Sequence, residues 1–413
     1  MTRANRRLPD ADPVALGLDP RPIAEADALL RSGTEAEQRP PTGGPDADRA
    51  RAVHAHAHYA GAVGLLAHAG HVVGRHVSGW ALRHADEHTE LPREAWLPMR
   101  SDTVFDLASV TKVFTAIAVV QLVEEGRLDL SAPVAAHLPE FGANGKEAVT
   151  VSQLLTHTSG CAATLPLWSR WPDPATRIAA ALAEPPVTPP GTTYRYSDLN
   201  LIALGVLVER LRGAPLDVVV HERISTPLGM TDTGYRPTDR RPTDRRPTDR
   251  RRTAATEFQA SPPRGLVHDQ VHDENAWALG GVAGHAGLFS TADDLAVLAQ
   301  TLLDGGSHGS GRILQPQSVT ALATDVNAAF PGHAHGLGLE LDQPGWMGDL
   351  SGPRTAGHTG YTGTSVVISF DSRSFAVLLT NRVHPSRVWG SAASARLAWA
   401  NGLARALPVD RIG

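Results

Sequence analysis

Apolar runs typical of β-strands lie towards the two ends of this chain, and helical patterns fill the stretch between them. Two such runs occupy residues 59–84 and are joined at Ala69-Gly70, which indicates a hairpin. Three more come late in the chain, at 336–342, 364–371 and 375–381. Strands this distant in sequence must pair with one another, so the pattern predicts one sheet built from both chain ends in an α+β fold.

Helical periodicity between these strands predicts a lobe inserted into the sheet. Apolar residues three and four positions apart begin at Ser109 and stop at Gly126. Residues 127–235 are predicted to be mostly helical, with proline-rich loops. Further helices are predicted at 21–31, at 199–213, at 291–306 with Thr291 as N-cap, and at 391–407.

The chain divides into a short N-terminal region and one large domain. Residues 1–50 combine a helix with a Pro/Gly linker, and residues 51–410 form the single domain. Within it, the pentapeptide RPTDR occurs three times at 236–250 and contains no apolar residue. Such a segment cannot bury a core, so residues 236–252 are predicted to be a disordered loop. An anion-binding tail is the weaker alternative, because each unit also carries an aspartate.

The composition excludes several classes of partner. The chain has 413 residues, 20% of them charged, and a net charge of −5, without the basic stripe that nucleic-acid binding requires. No apolar run approaches the ~18 residues of a membrane span, and no apolar signal-peptide core is visible, which favours a cytoplasmic protein. Cys161 is the sole cysteine, so an intramolecular disulfide is impossible; a small buried side chain is favoured over a reactive thiol.

The first chemical motif is Ser109-Val110-Thr111-Lys112. Three residues are almost one helical turn, so Ser109 and Lys112 share a helix face. A serine hydroxyl needs a base, and an ammonium of pKa ~10.4 cannot serve as one. Burial and the positive end of the helix dipole would both lower the pKa of Lys112. Only Lys112 and Lys146 are lysines in this arginine-rich chain, which makes the motif more informative.

The sequence around this motif resembles class C β-lactamases, DD-peptidases and the esterases of the same fold. Family-like phrases recur in the family's order across about residues 60–385. They are LTHTSG at 155–160, PGTTYRYSDLNLIALG at 190–205, PLGMTDTGY at 227–235, GGVAGHAGLFSTADDLA at 280–296 and GHTGYTG at 357–363. The resemblance implies a β-lactamase-like fold, a nucleophile at Ser109, Lys112 on the same helix, and no cofactor or metal.

The resemblance also implies a proton-shuttling tyrosine. Tyr196-Ser197-Asp198 is similar to the family's Tyr-x-Asn, and the motif's register selects Tyr196 over Tyr194. A tyrosine bonded to the lysine can pass a proton from serine to the leaving group. Asp198 departs from the family's asparagine: a carboxylate only accepts hydrogen bonds, so it could either hold Lys112 charged or steer it.

His358-Thr359-Gly360-Tyr361 stands where the family has Lys-Thr-Gly. The resemblance implies that the backbone N–H groups of Ser109 and Tyr361 form an oxyanion hole. His358, with an ordinary pKa of ~6.5, would be mostly neutral at pH 7 where relatives have a fixed positive charge. The sequence therefore predicts a preference for neutral esters over anionic β-lactams, with activity on carboxylate substrates rising as His358 becomes charged.

Other histidines and serines offer weaker candidates. Resemblance places His272, Asp273 and His285 near the cleft, shaping it rather than reacting. Metal pairs at His268/His272 and among His54, His56 and His58 are disfavoured, because no familiar ligand spacing follows. Ser307 fits G-x-S-x-G, but a helix leads into it where a nucleophile elbow needs a strand.

Together these motifs predict a serine hydrolase that forms an acyl-enzyme on Ser109 with a small ester, amide or peptide. An acyl or peptidyl transferase using the same intermediate is one alternative. A non-enzymatic sensor that keeps the fold is another, although intact Ser109, Lys112 and Tyr196 argue against it. The sequence leaves the oligomeric state open.

Overall fold

The computed structural model describes residues 7–35, 56–236 and 249–408. Its strands are β1 (Gly61–His68), β2 (His71–Leu82), β3 (Leu97–Pro98), β4 (Phe105–Asp106), β5 (Gly234–Tyr235), β6 (Phe258–Gln259), β7 (Gly265–Leu266), β8 (Leu288–Ser290), β9 (Ser307–His308), β10 (Gly311–Arg312), β11 (Glu340–Leu341), β12 (Thr355–Thr359), β13 (Ser365–Ser369) and β14 (Ser374–Thr380).

The helices are α1 (Pro20–Ser32), α2 (Thr111–Glu124), α3 (Val151–Leu155), α4 (Leu167–Arg170), α5 (Pro174–Ala183), α6 (Asp198–Arg212), α7 (Leu216–Val220), α8 (Thr226–Leu228), α9 (Glu274–Ala278), α10 (Ala292–Leu303), α11 (Pro316–Leu322), α12 (Pro344–Met347) and α13 (Ala393–Ala406). Single 3₁₀ turns link several of them, and a π-helical turn, His221–Ser225, connects α7 to α8.

The main sheet unites the two ends of the chain, as the sequence predicts. Its seven strands run in the order β11-β12-β13-β14-β1-β2-β3, and every pairing is antiparallel. The join is β1 against β14, with Val63 opposite Leu379 and Leu65 opposite Val377. The two ends of the chain therefore meet at β1 and β14, and the other strands of the sheet continue outwards on either side of that join.

Both faces of this sheet are covered, which explains why β1 is apolar throughout. Alternate side chains of a strand point to opposite faces. Val63 and Leu65 belong to the core that includes α2 and α10, whereas Ala62 and Leu66 belong to a second core with α1 and α13. Helix α1, from the predicted N-terminal region, is thus part of the same packed unit as the C-terminal helix.

The helix that follows Ser109 lies at the centre of the molecule. All of its side chains from Thr111 to Leu122 are buried, which requires apolar neighbours on every side. Helices α6 and α7 of the inserted lobe pack against it, and α10 contributes to the same hydrophobic core. The small sheet β4-β8-β5 closes the end nearest Ser109.

Three sequence expectations need correction. The apolar run 336–342 forms a strand only at Glu340–Leu341, because Gly338 has a left-handed φ of 85° that interrupts extended backbone. The α-helix begins at Thr111, after a 3₁₀ turn over Ala108–Val110. The end of the predicted loop 236–252 is ordered: Arg250–Arg252 form a 3₁₀ turn, fixed by the ion pair of Arg252 with Asp232. Residues 237–248 of the repeat lie outside the described residues.

No helix within 7–35, 56–236 or 249–408 has the length and apolar character needed to cross a membrane.

Candidate active site

A strained backbone presents Ser109. Ala108, immediately before it, has a φ of 46°, a conformation that costs a non-glycine residue free energy and persists only when its surroundings enforce it. The buried carboxylate of Asp106 supplies this enforcement. It accepts hydrogen bonds from the Ala108 N–H at 2.8 Å and from the His272 N–H at 2.6 Å. The sharp turn leads from β4 directly into the buried helix.

Lys112 joins the serine to the helical lobe. Its Nζ, on a side chain that is 1% exposed, donates to Ser109 Oγ at 2.8 Å and to the His285 carbonyl at 3.1 Å. The same Nζ lies 2.8 Å from Asp198 Oδ1. All three neighbours are hydrogen-bond acceptors, which is the environment that an ammonium group requires when it is buried.

These contacts reverse the predicted direction of the Lys112 pKa. Burial alone would lower it, but the Asp198 carboxylate, followed by Tyr196, outweighs burial and raises the pKa above its ordinary value. The expectation that burial and the helix dipole lower the pKa of Lys112 is therefore wrong for the resting site. Asp198, which stands in place of the family's asparagine, causes this rise because it places a negative charge beside the lysine.

Tyr196 is the tyrosine that reaches the nucleophile. Its side chain faces Lys112 and Ser109, both of which lower its pKa, and its ring centroid lies 4.9 Å from Lys112 Nζ. Burial raises its pKa, while the adjacent lysine opposes that rise. Tyr194, the competing candidate, stacks instead on His333 with ring centroids 4.2 Å apart. The motif register thus selects the residue that lies in the cluster.

His157 positions the tyrosine segment, a role that the sequence analysis did not assign. Its Nδ1 accepts the Ser197 N–H at 3.1 Å, and its ring lies 4.7 Å from that of Tyr196. Since Nδ1 accepts, the proton of the neutral ring is on Nε2. Burial, then the charges of His335 and Lys112, hold the pKa of His157 well below its usual range. Its place inside the family-like phrase LTHTSG was the available signal.

The turn after β12 docks directly beside the nucleophile. The Thr362 hydroxyl donates to the Asp106 carbonyl at 2.8 Å, and the Thr364 hydroxyl donates to the Leu107 carbonyl at 3.0 Å. Gly360 must be glycine, because a Cβ there would lie 2.4 Å from the Leu107 carbonyl oxygen. These contacts bring Tyr361 next to the Ser109 turn, and its ring is 49% exposed at the rim of the cleft.

His358 lies beneath this wall of the cleft rather than on its surface. It is 1% exposed, its Nδ1 bonds the Thr359 carbonyl oxygen at 2.7 Å, and its Nε2 has no hydrogen-bond partner among the described residues. Burial, followed by the charge of Lys112, lowers the pKa of His358 to about 3. The histidine is neutral at pH 7 as expected, but the expectation that it becomes charged just below neutrality is wrong.

His272, Asp273 and His285 lie near the Ser109–Lys112–Tyr196 cluster, where the resemblance places them. Asp273 Oδ1 accepts from His285 Nε2 at 3.0 Å, and the His285 backbone carbonyl contacts Lys112. The His272 ring packs 5.8 Å from that of Tyr361 and bonds Glu257 at 2.9 Å. Within the described part of the chain, none of these side chains is hydrogen-bonded to Ser109 Oγ, which fits a shaping role.

The weaker candidates lie in ordinary structural settings. His268 Nε2 bonds the Thr253 carbonyl oxygen at 2.8 Å, and His56 stacks on Trp389. Within the described ranges, no group of three or more His, Cys, Asp or Glu side chains is arranged to hold a metal ion. His54 lies outside those ranges. Ser307 lies in the β9–β10 hairpin after helix α10, so it has no elbow, and Cys161 is buried.

Comparison with known proteins identifies the family. Residues 47–398 match the Beta-lactamase family. The chain belongs to this family. A protein of Escherichia coli strain K12 named "Putative D-alanyl-D-alanine carboxypeptidase" is 34% identical over 319 residues, which cover 68% of this chain and 70% of that protein. A protein of the same name from Salmonella agona is 31% identical, with 69% and 70% covered.

Solved structures of other proteins share the fold of this chain. EstCE1, described as a hydrolase with promiscuous acyltransferase activity, is 22% identical with a TM-score of 0.67, covering 93% of this chain and 99% of that one. A penicillin-binding-protein homologue from Caulobacter crescentus is 21% identical with a TM-score of 0.63, covering 93% and 98%. The family assignment and these likenesses confirm the predicted fold, and the protein is a serine hydrolase of the Beta-lactamase family.

Proposed function

We propose that Ser109 attacks a carbonyl carbon and that the Lys112–Tyr196 pair receives its proton. The observation that carries this proposal is the bridging Nζ of Lys112, 2.8 Å from both Ser109 Oγ and Asp198 Oδ1. Tyr196 lies close to both members of the Ser–Lys motif, so in this proposal a proton leaving the serine passes to the phenol oxygen and onward to the leaving group.

One proton must leave the pair before the serine can react. With Lys112 as ammonium and Tyr196 as phenol, neither group can accept a proton. Loss of one proton leaves either a phenolate beside an ammonium or a phenol beside an amine, and both forms can deprotonate Ser109. Because the two groups are coupled, the pKa of this ionisation is a property of the pair and not of either residue alone. Asp198 raises the pH at which the pair loses this proton, because its negative charge favours the protonated lysine.

The developing oxyanion is held by backbone donors in this proposal. The N–H groups of Ser109 and Tyr361 belong to two segments that the Thr362 and Thr364 hydroxyls tie together. Such donors stabilise the tetrahedral intermediate, and losing one typically costs about 10²–10³ in kcat. Collapse of the intermediate gives an acyl-enzyme on Ser109, which water then hydrolyses without a cofactor.

We infer that the preferred substrates are small esters without a carboxylate beside the β12 wall. Neutral, buried His358 supplies no positive charge there, and the ammonium of Lys112 on the opposite wall is already paired with Asp198. A D-alanyl carboxypeptidase activity is the second candidate. It is favoured by the 34% identity to the protein from Escherichia coli that carries this name, and its substrate is a peptide that ends in a carboxylate.

A substrate panel distinguishes these candidates. Purified protein would be assayed at pH 7 with p-nitrophenyl acetate and butyrate, a D-alanyl-D-alanine peptide, its C-terminal amide, and a chromogenic cephalosporin. The ester hypothesis requires the highest kcat/KM for the esters. A higher kcat/KM for the free D-alanyl peptide than for its amide would favour the carboxypeptidase, and efficient cephalosporin turnover above the esters would contradict both. Adding an alcohol acceptor tests whether acyl transfer competes with hydrolysis.

A further inference from the structure

We propose that Arg396 is a positioning residue that holds and polarises the peptide group supplying an oxyanion-hole N–H. This inference rests on the proposed function, since it assumes that the Tyr361 N–H faces the oxyanion. Arg396 lies on α13, the C-terminal helix, on the far side of the 360–364 turn from the proposed nucleophile. Its hydrogen bonds to described residues do not reach Ser109, Lys112 or Tyr196.

The side-chain hydrogen bonds that Arg396 makes to described residues both go to this turn. Its Nη2 donates to the Gly360 carbonyl at 2.7 Å and to the Thr364 carbonyl at 3.0 Å. Gly360 also donates its N–H to the Thr364 carbonyl at 2.8 Å. A single guanidinium nitrogen therefore bonds both ends of the loop that carries Tyr361.

This guanidinium is partly buried and has no carboxylate within ion-pair distance among the described residues. Its Nε is buried without a hydrogen-bond partner there. Burial, followed by the charge of Arg382, lowers its pKa to about 10, so it stays charged at pH 7. A buried charge costs free energy unless it is paired. The turn carbonyls stabilise this charge, and the charge in turn holds the turn in place.

The Gly360 carbonyl and the Tyr361 N–H belong to one planar peptide group. A trans peptide points its C=O and N–H in opposite directions, so a donor fixed behind the carbonyl fixes the N–H in front. A charged donor on the carbonyl oxygen also draws electron density from the nitrogen and strengthens the N–H as a donor. Preorganised donors of this kind lower the cost of developing negative charge.

Arg382 provides a matched control in the same turn. Its Nε donates to the Tyr361 carbonyl at 2.9 Å, which belongs to the next peptide group, Tyr361–Thr362. Its guanidinium also lies 4.5 Å from the Tyr361 ring. Arg382 and Arg396 thus both brace the turn, but only Arg396 bonds the peptide group whose N–H is the proposed donor. A purely mechanical role would make their loss equivalent.

The experiment compares Arg396→Met, Arg396→Lys and Arg382→Met with wild type. Three readouts are taken: kcat and KM for p-nitrophenyl butyrate, the inhibition constant of an aryl boronic acid, and the melting temperature. A boronic acid forms a tetrahedral adduct on the serine and places an oxygen where the oxyanion would be. Arg396→Met should lower kcat about tenfold with KM within about twofold, less than complete loss of a donor. Boronic acid affinity should fall by the same factor.

Arg396→Lys should recover part of the loss, because it keeps a charged donor, and Arg382→Met should stay within about threefold of wild type. The proposal is overturned if Arg396→Met keeps full kcat/KM, if Arg382→Met loses as much, or if only the melting temperature and KM change. If the methionine variant does not fold, Arg396→Lys and Arg396→Gln carry the test, and equal activity in both would overturn it. Absence of boronic acid binding to wild type would contradict the proposed function itself.

Discussion

The two walls of the cleft differ in where they keep their charge. The wall from the inserted lobe brings Asp198 and Tyr196 into direct contact with Lys112, so its charges lie at the reacting atoms. The wall from the main sheet has a neutral histidine beneath a backbone turn, and the arginines that bond this turn, Arg382 and Arg396, contact its carbonyl groups. The lobe therefore controls the proton, and the sheet controls the oxyanion and the substrate's charge. Changes on the two walls should leave different kinetic signatures.

The largest expected effect is on the group that both walls serve. Ser109→Ala should abolish turnover and labelling by a fluorophosphonate while the melting temperature stays near wild type, because no other described serine has this setting. The control is Ser78→Ala. Ser78 is hydrogen-bonded to His76, which in turn bonds Asp27. Ser78 is only 8% exposed, so a substrate cannot readily reach it. Labelling that survives in Ser109→Ala and disappears on adding Ser78→Ala would refute the assignment.

On the lobe wall, Lys112→Arg should lower kcat/KM for esters by about 10²–10⁴, the usual contribution of a general base. Arginine keeps the positive charge beside Asp198 but cannot deprotonate in a protein. Lys146→Arg, at the chain's other lysine, should keep activity within about threefold, since the Nζ of Lys146 bonds the Leu182 carbonyl away from the cleft. A Lys112→Arg rate above roughly a tenth of wild type would argue that the lysine supplies charge alone.

Asp198→Asn should raise activity at pH 7 instead of lowering it. Asp198 raises the pKa of Lys112, and the reactive form of the pair has lost a proton. Removing the carboxylate lowers the pair's pKa and moves the rising limb of the pH–kcat/KM profile to lower pH. A neighbouring charge shifts a pKa by about 1–3 units, so a gain of about tenfold at pH 7 is expected. An unchanged profile with a lower plateau would mean that Asp198 only positions the lysine.

The smallest expected effect lies on the sheet wall. His358→Lys should raise the ratio of cephalosporin to ester kcat/KM several-fold, because it restores a positive charge beside the substrate carboxylate. His358→Gln, which stays neutral, should leave that ratio unchanged. In wild type, the ratio should not rise between pH 7 and pH 5, since the pKa of His358 is about 3. A rise in that interval would show that the ring becomes charged within the cleft.

Local patterns predicted the parts of the molecule that depend on nearby residues. The capped helix at Thr291 and the face shared by Ser109 and Lys112 follow from periodicity and capping, and the structure contains both. The pairing of the two chain ends followed from the position of the strand-like runs.

The electrostatics could not be predicted in the same way. The sequence identified Asp198 as unusual but left its effect open, because that effect depends on a contact between residues 86 positions apart in the chain. His358 was expected to titrate near its ordinary pKa, since burial of a strand residue near a glycine turn cannot be read from its neighbours. Arg396 and His157 carry no local motif of their own. Each becomes significant only through a backbone group that folding brings to it.

The buried histidines have a consequence for the whole molecule. His335, His358 and His384 have folded-state pKa values of about 4, 3 and 3, and burial is the leading cause in each. Unfolding returns these rings to their ordinary pKa of 6.5, so these three side chains take up protons when the chain unfolds in acid. Their contribution to the free energy of unfolding is complete above pH 6.5. It falls by up to about 1.4 kcal/mol per histidine per pH unit below that, down to the folded pKa values. These three rings therefore favour a fall in melting temperature as the pH drops from 6.5 towards 4, and the buried Asp294, whose pKa is raised to about 7, opposes that fall because it binds a proton in the folded state first.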